Sequence, residues 1–475
     1  MQRVRWFSPM PPAKSGIAHY SSMLVPALRQ HVDVDIDVIL SAAKEPPIGR
    51  SFAVSAAQDD AGPAIYHLGN NPFHEEIYRA AMREPGIAVL HDVVLHHLIV
   101  EMTLARGDVE GYVAALRASH GDAGEAWARG RAAGMHAEIG NFLLPASIEL
   151  AQRSRAVIVH NKWAAERLPS FGVETPVFVV PHPFVHEEAR KKIDRPAGRV
   201  IGFFGFLTAA KRADVVIEAF RRARTRNESL TLLVVGEPAP NIDIEKMRGD
   251  GIVFTGYVAD EDFASYYSAA DRFVNLRYPS AGETSGTLIR ALDAGKPVAV
   301  SDYAQFSEFP DDCVTKIALD DDEVNKLTDF MLCDFDVEAL ASRQREWLAA
   351  NCSLERAVNG YLDVIRNNAV PFAAAQARRT IPLFPRLAVA GSDESSVTLR
   401  NVGDVPLLAR LYGQPGYRLI ANGEWLDLPG DLQPGASVRI ELPRMHGVVR
   451  LAHAIQGIPM IEAEPFAEVH LGAVR

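Results

Sequence analysis

The chain has 475 residues, room for about three domains of ordinary size. Hydrophobic residues make up 48 % and charged residues 23 %, the balance of a packed globular protein, and no run of about 18 apolar residues offers a membrane span. A formal net charge of −11 opposes non-specific nucleic-acid binding but leaves room for local basic pockets that hold phosphate.

The N-terminus, MQRVRWFSPMPP, lacks the basic-then-apolar pattern of a signal peptide. Val4–Ser8 reads as a first strand, stopped by Pro9, Pro11 and Pro12. Ile17 to Gln30 follows with helical spacing, Met23, Leu24 and Leu28 lying on or near one face. Val34–Leu40, Ala64–His67, Ile87–Leu90, Ala156–Val159 and Phe178–Val180 are further strands, with a long Ala-rich helical region from about His96 to Gln152. Strands alternating with helices predict a parallel α/β sheet. After Pro181-His182-Pro183 the charged stretch HEEARKKIDRPAGR has linker composition, and a second α/β series begins. Its strands are Val200–Phe204, Leu230–Val235, Ile252–Thr255, Arg272–Asn275 and Pro297–Ser301. Helices Ala213–Arg224 and Asp260–Ala269 lie between them, and Leu354–Asn367 reads as the final helix.

After Pro371 helical periodicity fades. Short β-prone runs, Ser396–Arg400, Leu407–Tyr412, Ser437–Leu442 and Gly447–His453, are punctuated by turn pairs such as Asn422-Gly423 and Pro429-Gly430. That pattern predicts a small antiparallel sandwich or barrel, with Tyr412, Tyr417, Trp425 and Phe466 filling its core or stacking on sugar rings. The expected division is residues 1–185, 195–370 and 375–475. The three cysteines, Cys313, Cys333 and Cys352, are odd in number and fit no metal or redox spacing, so reduced thiols in a cytoplasmic protein are expected.

Three constellations carry chemistry. Pro11-Pro12-Ala13-Lys14-Ser15-Gly16-Ile17-Ala18 joins a strand to a helix, where Gly16 permits close backbone approach and the helix N-terminus offers N–H groups to an anion; a plain loop has the same composition. His91-Asp92 ends the strand Ile87–Leu90, and in an open α/β sheet ligands sit beyond the carboxyl ends of strands. His91 there touches a substrate or caps a neighbouring element. The spacing to His96 and His97 matches no standard helical metal pair, and Asp311-Asp312 and Asp320-Asp321-Asp322 read as solvated loops, so no metal site is expected. The third constellation runs through Gly205-Phe206-Leu207, Lys211-Arg212, Val235-Gly236-Glu237 and Thr255-Gly256-Tyr257-Val258 to Pro279-Ser280-Ala281-Gly282-Glu283-Thr284-Ser285-Gly286-Thr287. The last run opens a helix, Leu288–Ala294, that ends at Gly295-Lys296-Pro297. A Gly-Ser-Thr loop at a helix N-terminus cradles phosphate, and Lys211 and Arg212 supply the positive charge a diphosphate leaving group needs.

In that order these residues resemble glycosyltransferase family 4, retaining transferases of GT-B fold. The family pattern is a glycine turn, a downstream lysine, a strand ending in glycine, then G-x-V, P-S-x-x-E-x-x-G and A-x-G-x-P-V. Gly205, Lys211, Gly236, Gly256-Tyr257-Val258, Pro279-Ser280 with Glu283 and Gly286, and Ala294-Gly295-Lys296-Pro297-Val298 match it in turn. In the last match the alanine adjoins the glycine. Ser15-Gly16-Ile17 and His91-Asp92 extend the resemblance to roughly residues 1–370. Two residues depart from it. Counting back from Gly295, Arg290 takes the place of the family's second glutamate, which usually holds the donor's ribose. Phe206 replaces the arginine of the family's G-R-L.

The resemblance implies two Rossmann-like domains facing a cleft; the small all-β domain expected after them lies outside it. It implies transfer of a sugar from a nucleotide-sugar donor to a glycan, lipid-linked glycan or other hydroxyl acceptor, with retention and without metal. Lys211 with Arg212 would neutralise the diphosphate, and Ser285, Gly286 and Thr287 would cradle it. Glu283 would bond sugar hydroxyls and His91 would position the donor sugar or acceptor. Gly16, Gly205, Gly236, Tyr257, Val258 and Arg290 would meet the nucleotide or its phosphates, Arg290 as a second cation in compensation for Phe206. No cofactor and no nucleic-acid partner are expected, and peripheral membrane contact stays open. A nucleotide-sugar epimerase or hydrolase on the same fold, and an inactive sugar-binding or scaffold protein, are the competing readings.

Overall fold

The apolar runs of the first half pair side by side in the computed structural model. It describes residues 2–13, 15–37, 62–132, 140–190, 192–239, 242–320 and 322–372 and, further on, 387–402, 407, 417–430, 432, 435–442, 444–455, 458–459 and 466–471. Strands β1 (Arg3–Phe7), β2 (Asp33–Asp37), β3 (Ala64–Leu68), β4 (Ile87–Leu90), β5 (Ala156–Val159) and β6 (Val177–Val179) form a parallel sheet in the order β2-β1-β3-β4-β5-β6. β3, β4 and β5 are buried at every position, which is why they read as unbroken apolar runs. Helices α1 (Gly16–Leu28), α2 (Glu75–Arg83), α3 (His96–Met102), α4 (Val109–Ala132), α5 (Gly140–Leu143), α6 (Ile148–Arg153) and α7 (Lys162–Ser170) fall between or after these strands.

The second sheet holds β7 (Val200–Phe204), β8 (Thr231–Val235), β9 (Ile252–Phe254), β10 (Arg272–Asn275), β11 (Val298–Ser301) and β12 (Thr315–Ile317), parallel, in the order β12-β11-β10-β7-β8-β9. α8 (Ala213–Arg226), α9 (Asp260–Ala269), α10 (Gly286–Asp293), α11 (Glu323–Leu332), α12 (Val337–Asn351) and α13 (Leu354–Ile365) complete the helices. Strand order reverses between β1 and β3 in the first sheet and between β7 and β10 in the second. Such switch points leave a crevice beyond the carboxyl ends of the strands.

The chain divides into two compact units. Met1–Met102, Ser147–Ile317 and Val324–Ala377 contain both parallel sheets; Thr103–Ala146, Ala318–Glu323 and Arg378–Arg475 form the other. In the first unit α13, which the sequence groups with the second α/β series, packs instead on the first sheet. Its buried face, Ala357, Val358, Tyr361, Leu362, Val364 and Ile365, shares a core with Val4, Trp6, Tyr20 and Leu24. The Tyr20 and Tyr361 hydroxyls bond at 2.8 Å. Loops at the carboxyl ends of the two sheets also meet. Val93 and Val94 N–H donate to the Ala281 carbonyl at 2.7 and 3.0 Å, and Asn161 Nδ2 donates to the Gly282 carbonyl at 3.0 Å.

In the second unit α4 bends at Gly121 (φ 62°, ψ −148°). Beyond it β13 (Leu387–Ser392), β14 (Ser396–Asn401) and β17 (Ser437–Glu441) make one antiparallel sheet. β15 (Tyr417–Ala421), β16 (Glu424–Asp427), β18 (Gly447–Ile455), β19 (Ile458–Pro459) and β20 (Ala467–Leu471) make another. Asn422-Gly423 turns β15 into β16 with φ positive at both residues (46° and 88°), the turn whose twist matches a hairpin. Lys14, residues 38–40 at the end of the second expected strand, and residues 408–412 with Tyr412 lie outside the described residues.

Candidate functional site

The second sheet's switch point gathers three loops. β7 runs into Gly205, whose φ of 95° suits glycine, and a Cβ there would lie 2.5 Å from Lys211 Nζ. A Cβ on Gly236, at the end of β8, would overlap the Gly205 carbonyl. The two glycines therefore let backbone and lysine crowd into one place. Lys211 is buried and its Nζ donates to the Phe204 carbonyl. Burial holds its ammonium well below the usual lysine range, with Arg277 adding to the shift and Glu283 opposing it. A cation so desolvated gains from an arriving anion.

The N-terminus of α10 closes on the same point, Thr287 Cγ2 lying 3.2 Å from where a Gly205 Cβ would stand. Ser285 caps the helix, its Oγ accepting the Leu288 N–H at 3.3 Å, and Asn275 Nδ2 donates to Thr287 Oγ1 at 2.9 Å. No protein acceptor among the described residues takes the N–H of Gly286 or Thr287. Nothing lies within 4 Å of where a Gly286 Cβ would be, so this helix end is open. Free N–H groups, helix dipole and buried lysine together make an anion site.

Glu283 stands beside it, already engaged. Its Oε1 lies 2.5 Å from Arg277 Nε, an ion-pair contact rather than an aligned hydrogen bond. Its Oε2 accepts from Ala281 N–H at 3.1 Å and Ser280 Oγ at 3.4 Å. Arg277, 9 % exposed, is a site residue the sequence reading passes over, although its place just after β10 satisfies the carboxyl-end rule. Asp92, which the sequence names beside His91 without giving it a role of its own, accepts the Asn70 N–H on its Oδ2 at 2.7 Å. Burial, then the Glu283 charge, push its carboxyl up to about 7.

His91 follows β4 and is 8 % exposed, its Nε2 lying 3.0 Å from His67 Nδ1. His67, His160 and His182, from the carboxyl ends of β3, β5 and β6, surround Tyr20 with it, at centroid separations from 4.7 to 5.7 Å. Burial holds all four rings below the usual histidine range, His160 at about 4 and His182 at about 3. His97 Nδ1 bonds Asn70 Nδ2 at 2.7 Å, and the described residues contain no group of three or more His, Cys, Asp or Glu arranged to hold a metal ion.

The remaining residues sit apart from the anion site or beside it. Arg290, one turn past Gly286, lies 3.6 Å from Glu187 Oε1 and 5.6 Å over the Phe263 ring. Glu187 Oε1 is also 3.1 Å from His19 Nε2. Arg212 is buried in a left-handed conformation (φ 53°) at the start of α8. Gly16 opens α1 behind Ser15, whose Oγ accepts the Ile17 N–H at 3.2 Å. Tyr257 is exposed, whereas the Val258 side chain is buried with Phe204, Val235 and Tyr267, which leaves only its backbone to meet a ligand. A crevice of about 530 Å³ at the opposite ends of the strands is lined by Arg199, Arg272 and Phe335 among others; Arg199 is paired there with Asp334.

Comparison with solved structures assigns this architecture. HepE from Anabaena, in complex with UDP and glucose, superposes with a TM-score of 0.50 at 13 % identity, covering 77 % of this chain and 100 % of that one. Sucrose-phosphate synthase from Thermosynechococcus elongatus gives 0.50 at 15 %, covering 77 % and 99 %. The fold is thus GT-B, two parallel α/β domains, here with an additional antiparallel region. Residues 198–334, which carry the anion site, match the family model described as Glycosyl transferases group 1. Similar proteins include alpha-monoglucosyldiacylglycerol synthase from Streptococcus pneumoniae, 33 % identical over 98 residues (18 % of this chain, 21 % of the relative). 2-Deoxystreptamine glucosyltransferase from Streptomyces kanamyceticus is 28 % identical over 185 residues (37 % and 44 %). The chain thus spans less than half the length of these relatives.

Proposed function

We propose that the protein is a glycosyltransferase that moves a sugar from a nucleoside-diphosphate donor to a hydroxyl of a glycan or lipid-linked glycan, with retention and without a metal. The observation that carries this is the meeting of Lys211, the Gly205–Gly236 approach and the open N-terminus of α10 at one switch point. Cleaving a glycosyl–phosphate bond develops charge on the departing diphosphate, and fixed cations and N–H groups there lower the barrier. Arg277 adds a second cation where Phe206 leaves none, and it also orients Glu283 toward the reacting sugar. In this reading His91 would meet the sugar from the first sheet, since the next residue, Asp92, is close enough to Glu283 to feel its charge.

UDP is the first nucleotide to test, since the HepE structure holds UDP. A cytoplasmic location belongs to the same proposal, supported by three cysteines that form no disulfide. No helix among the described residues is long and apolar enough to cross a membrane, and contact with a membrane surface would follow from a lipid-linked acceptor. The test is a thermal-shift screen of nucleoside diphosphates, then turnover of the best nucleotide sugar with and without acceptor glycans. Acceptor-dependent release of diphosphate is expected. Equal release without acceptor means a hydrolase, conversion to another nucleotide sugar an epimerase, and binding without turnover a sugar-binding protein.

A further inference from the structure

Three buried rings at the carboxyl ends of the first sheet each keep one nitrogen without a partner: Nε2 of His67, His74 and His160. For two of them the tautomer is forced. His74 Nδ1 faces the His67 carbonyl at 2.9 Å, and His160 Nδ1 faces the Val180 carbonyl at 2.8 Å. A carbonyl only accepts, so in each neutral ring Nδ1 carries the hydrogen and Nε2 is a bare lone pair. Burial keeps both rings neutral at pH 7, each titrating at about 4.

The bond between His67 Nδ1 and His91 Nε2 is open to two directions. Were His91 the donor, the neutral His67 ring would carry its own hydrogen on Nε2, buried and without an acceptor. Neighbouring rings give that hydrogen no face to point at. Trp6, Tyr20, Tyr361 and His91 are inclined to His67 by 37°, 52°, 20° and 34°, none near the perpendicular. An orphaned buried N–H is rarer than an unused lone pair, and this core already tolerates two such lone pairs. The donor is therefore His67.

We infer that His67 is a positioning residue: by donating Nδ1–H to His91 Nε2 it fixes His91 as the Nδ1–H tautomer. His91 then meets the substrate as a hydrogen-bond donor and not as a base, so its partner is an oxygen lone pair of the sugar or acceptor. Only this last clause rests on the glycosyltransferase reading. The hydrogen bond made by one ring nitrogen thus decides which nitrogen is left to meet a ligand, and in which role.

The test uses the full chain with ¹⁵N-labelled histidine. Long-range proton–nitrogen spectra show which ring nitrogen bears hydrogen, and His91→Gln removes and so assigns the His91 signals. The expected result is Nδ1–H in the wild type, loss of that single form in His67→Phe, and its retention in His67→Asn, whose amide still donates. In turnover assays His67→Phe should lower kcat about tenfold with KM little changed, and His67→Asn less. A wild-type His91 protonated on Nε2 overturns the inference, whether or not any variant folds. So does a His67→Phe protein that keeps the Nδ1–H form. Absence of turnover with every nucleotide sugar sinks the functional reading and leaves the tautomer result standing.

Discussion

Asp92 ties a charge to the site in a way that pH reports. Its folded value of about 7 lies above the usual carboxylate value of 3.8, so the folded state holds the proton more tightly. This group therefore favours folding most below about pH 4, and stability falls as pH rises from there through about 7. Asp92→Asn keeps an acceptor for the Asn70 N–H and removes the titration. Its melting temperature should match the wild type near pH 4 and exceed it by several degrees at pH 8; equal curves at both would show that Asp92 is not desolvated. Lys211 gives the complementary case. Lys211→Met removes a buried ammonium, so at pH 7 stability should hold or rise while affinity for a nucleoside diphosphate falls at least about tenfold, as calorimetry would show. A variant that binds as well as wild type removes Lys211 from the anion site. These residues were unequally legible. Lys211, Gly205 and Gly236 stand out because a glycine turn and a downstream lysine follow recognisable strands. Arg277 hides because one arginine after an apolar strand has no local signature. His67, His160 and His182 are single histidines 22 to 115 residues apart in the sequence, and only the order of β3, β5 and β6 in the sheet brings them around Tyr20.

At the scale of elements, buried parallel strands declare themselves and partly exposed ones do not. β4, β5, β7 and β10 lie where the apolar runs predict, because both faces are covered. β12 was missed: it is a three-residue edge strand, TKI, with two positions only partly buried. β13 and β20 mix exposed and buried positions and β16 has no buried position, too weak a pattern to separate from loop. For α13 the helix is legible but its partner is not, because an amphipathic stripe does not name the sheet it covers. The Tyr20–Tyr361 hydroxyl bond tests that docking. Tyr361→Phe leaves a buried hydroxyl unpaired and should cost about 1–3 kcal/mol in denaturant unfolding. Adding Tyr20→Phe should recover most of the loss, because both partners are then apolar. Two additive losses would mean that the hydroxyls do not share a bond and that α13 docks differently.

For the whole molecule, the question is how much of the chain the chemistry needs. Every candidate residue, from Gly16 through His91, Lys211 and Glu283 to Arg290, belongs to the unit that contains both parallel sheets. The C-terminal strands have a core of their own, built from Val397, Leu399, Leu419, Leu428, Ile440, Val449 and Leu451 among others. Trp425 is partly exposed there with Arg418 held 5.0 Å over its ring, while Phe466 packs on that core. A chain ending at Phe372 keeps α13 on the first sheet, and it keeps the Phe372 N–H bonded to the Val177 carbonyl at 2.6 Å, on the edge strand β6. That shortened chain should fold and bind the nucleoside diphosphate as tightly as the full one. At about 100 times its Kd the ligand should stabilise both by about 2.7 kcal/mol, read as equal shifts in melting temperature. Transfer to a glycan acceptor is the separate measurement: if the β region holds the acceptor, KM for the acceptor rises in the shortened chain while nucleotide affinity stays. A shortened chain that folds but shows no nucleotide shift would mean that the C-terminal region helps to build the donor site, and the assignment of that site to the two parallel sheets alone would fail.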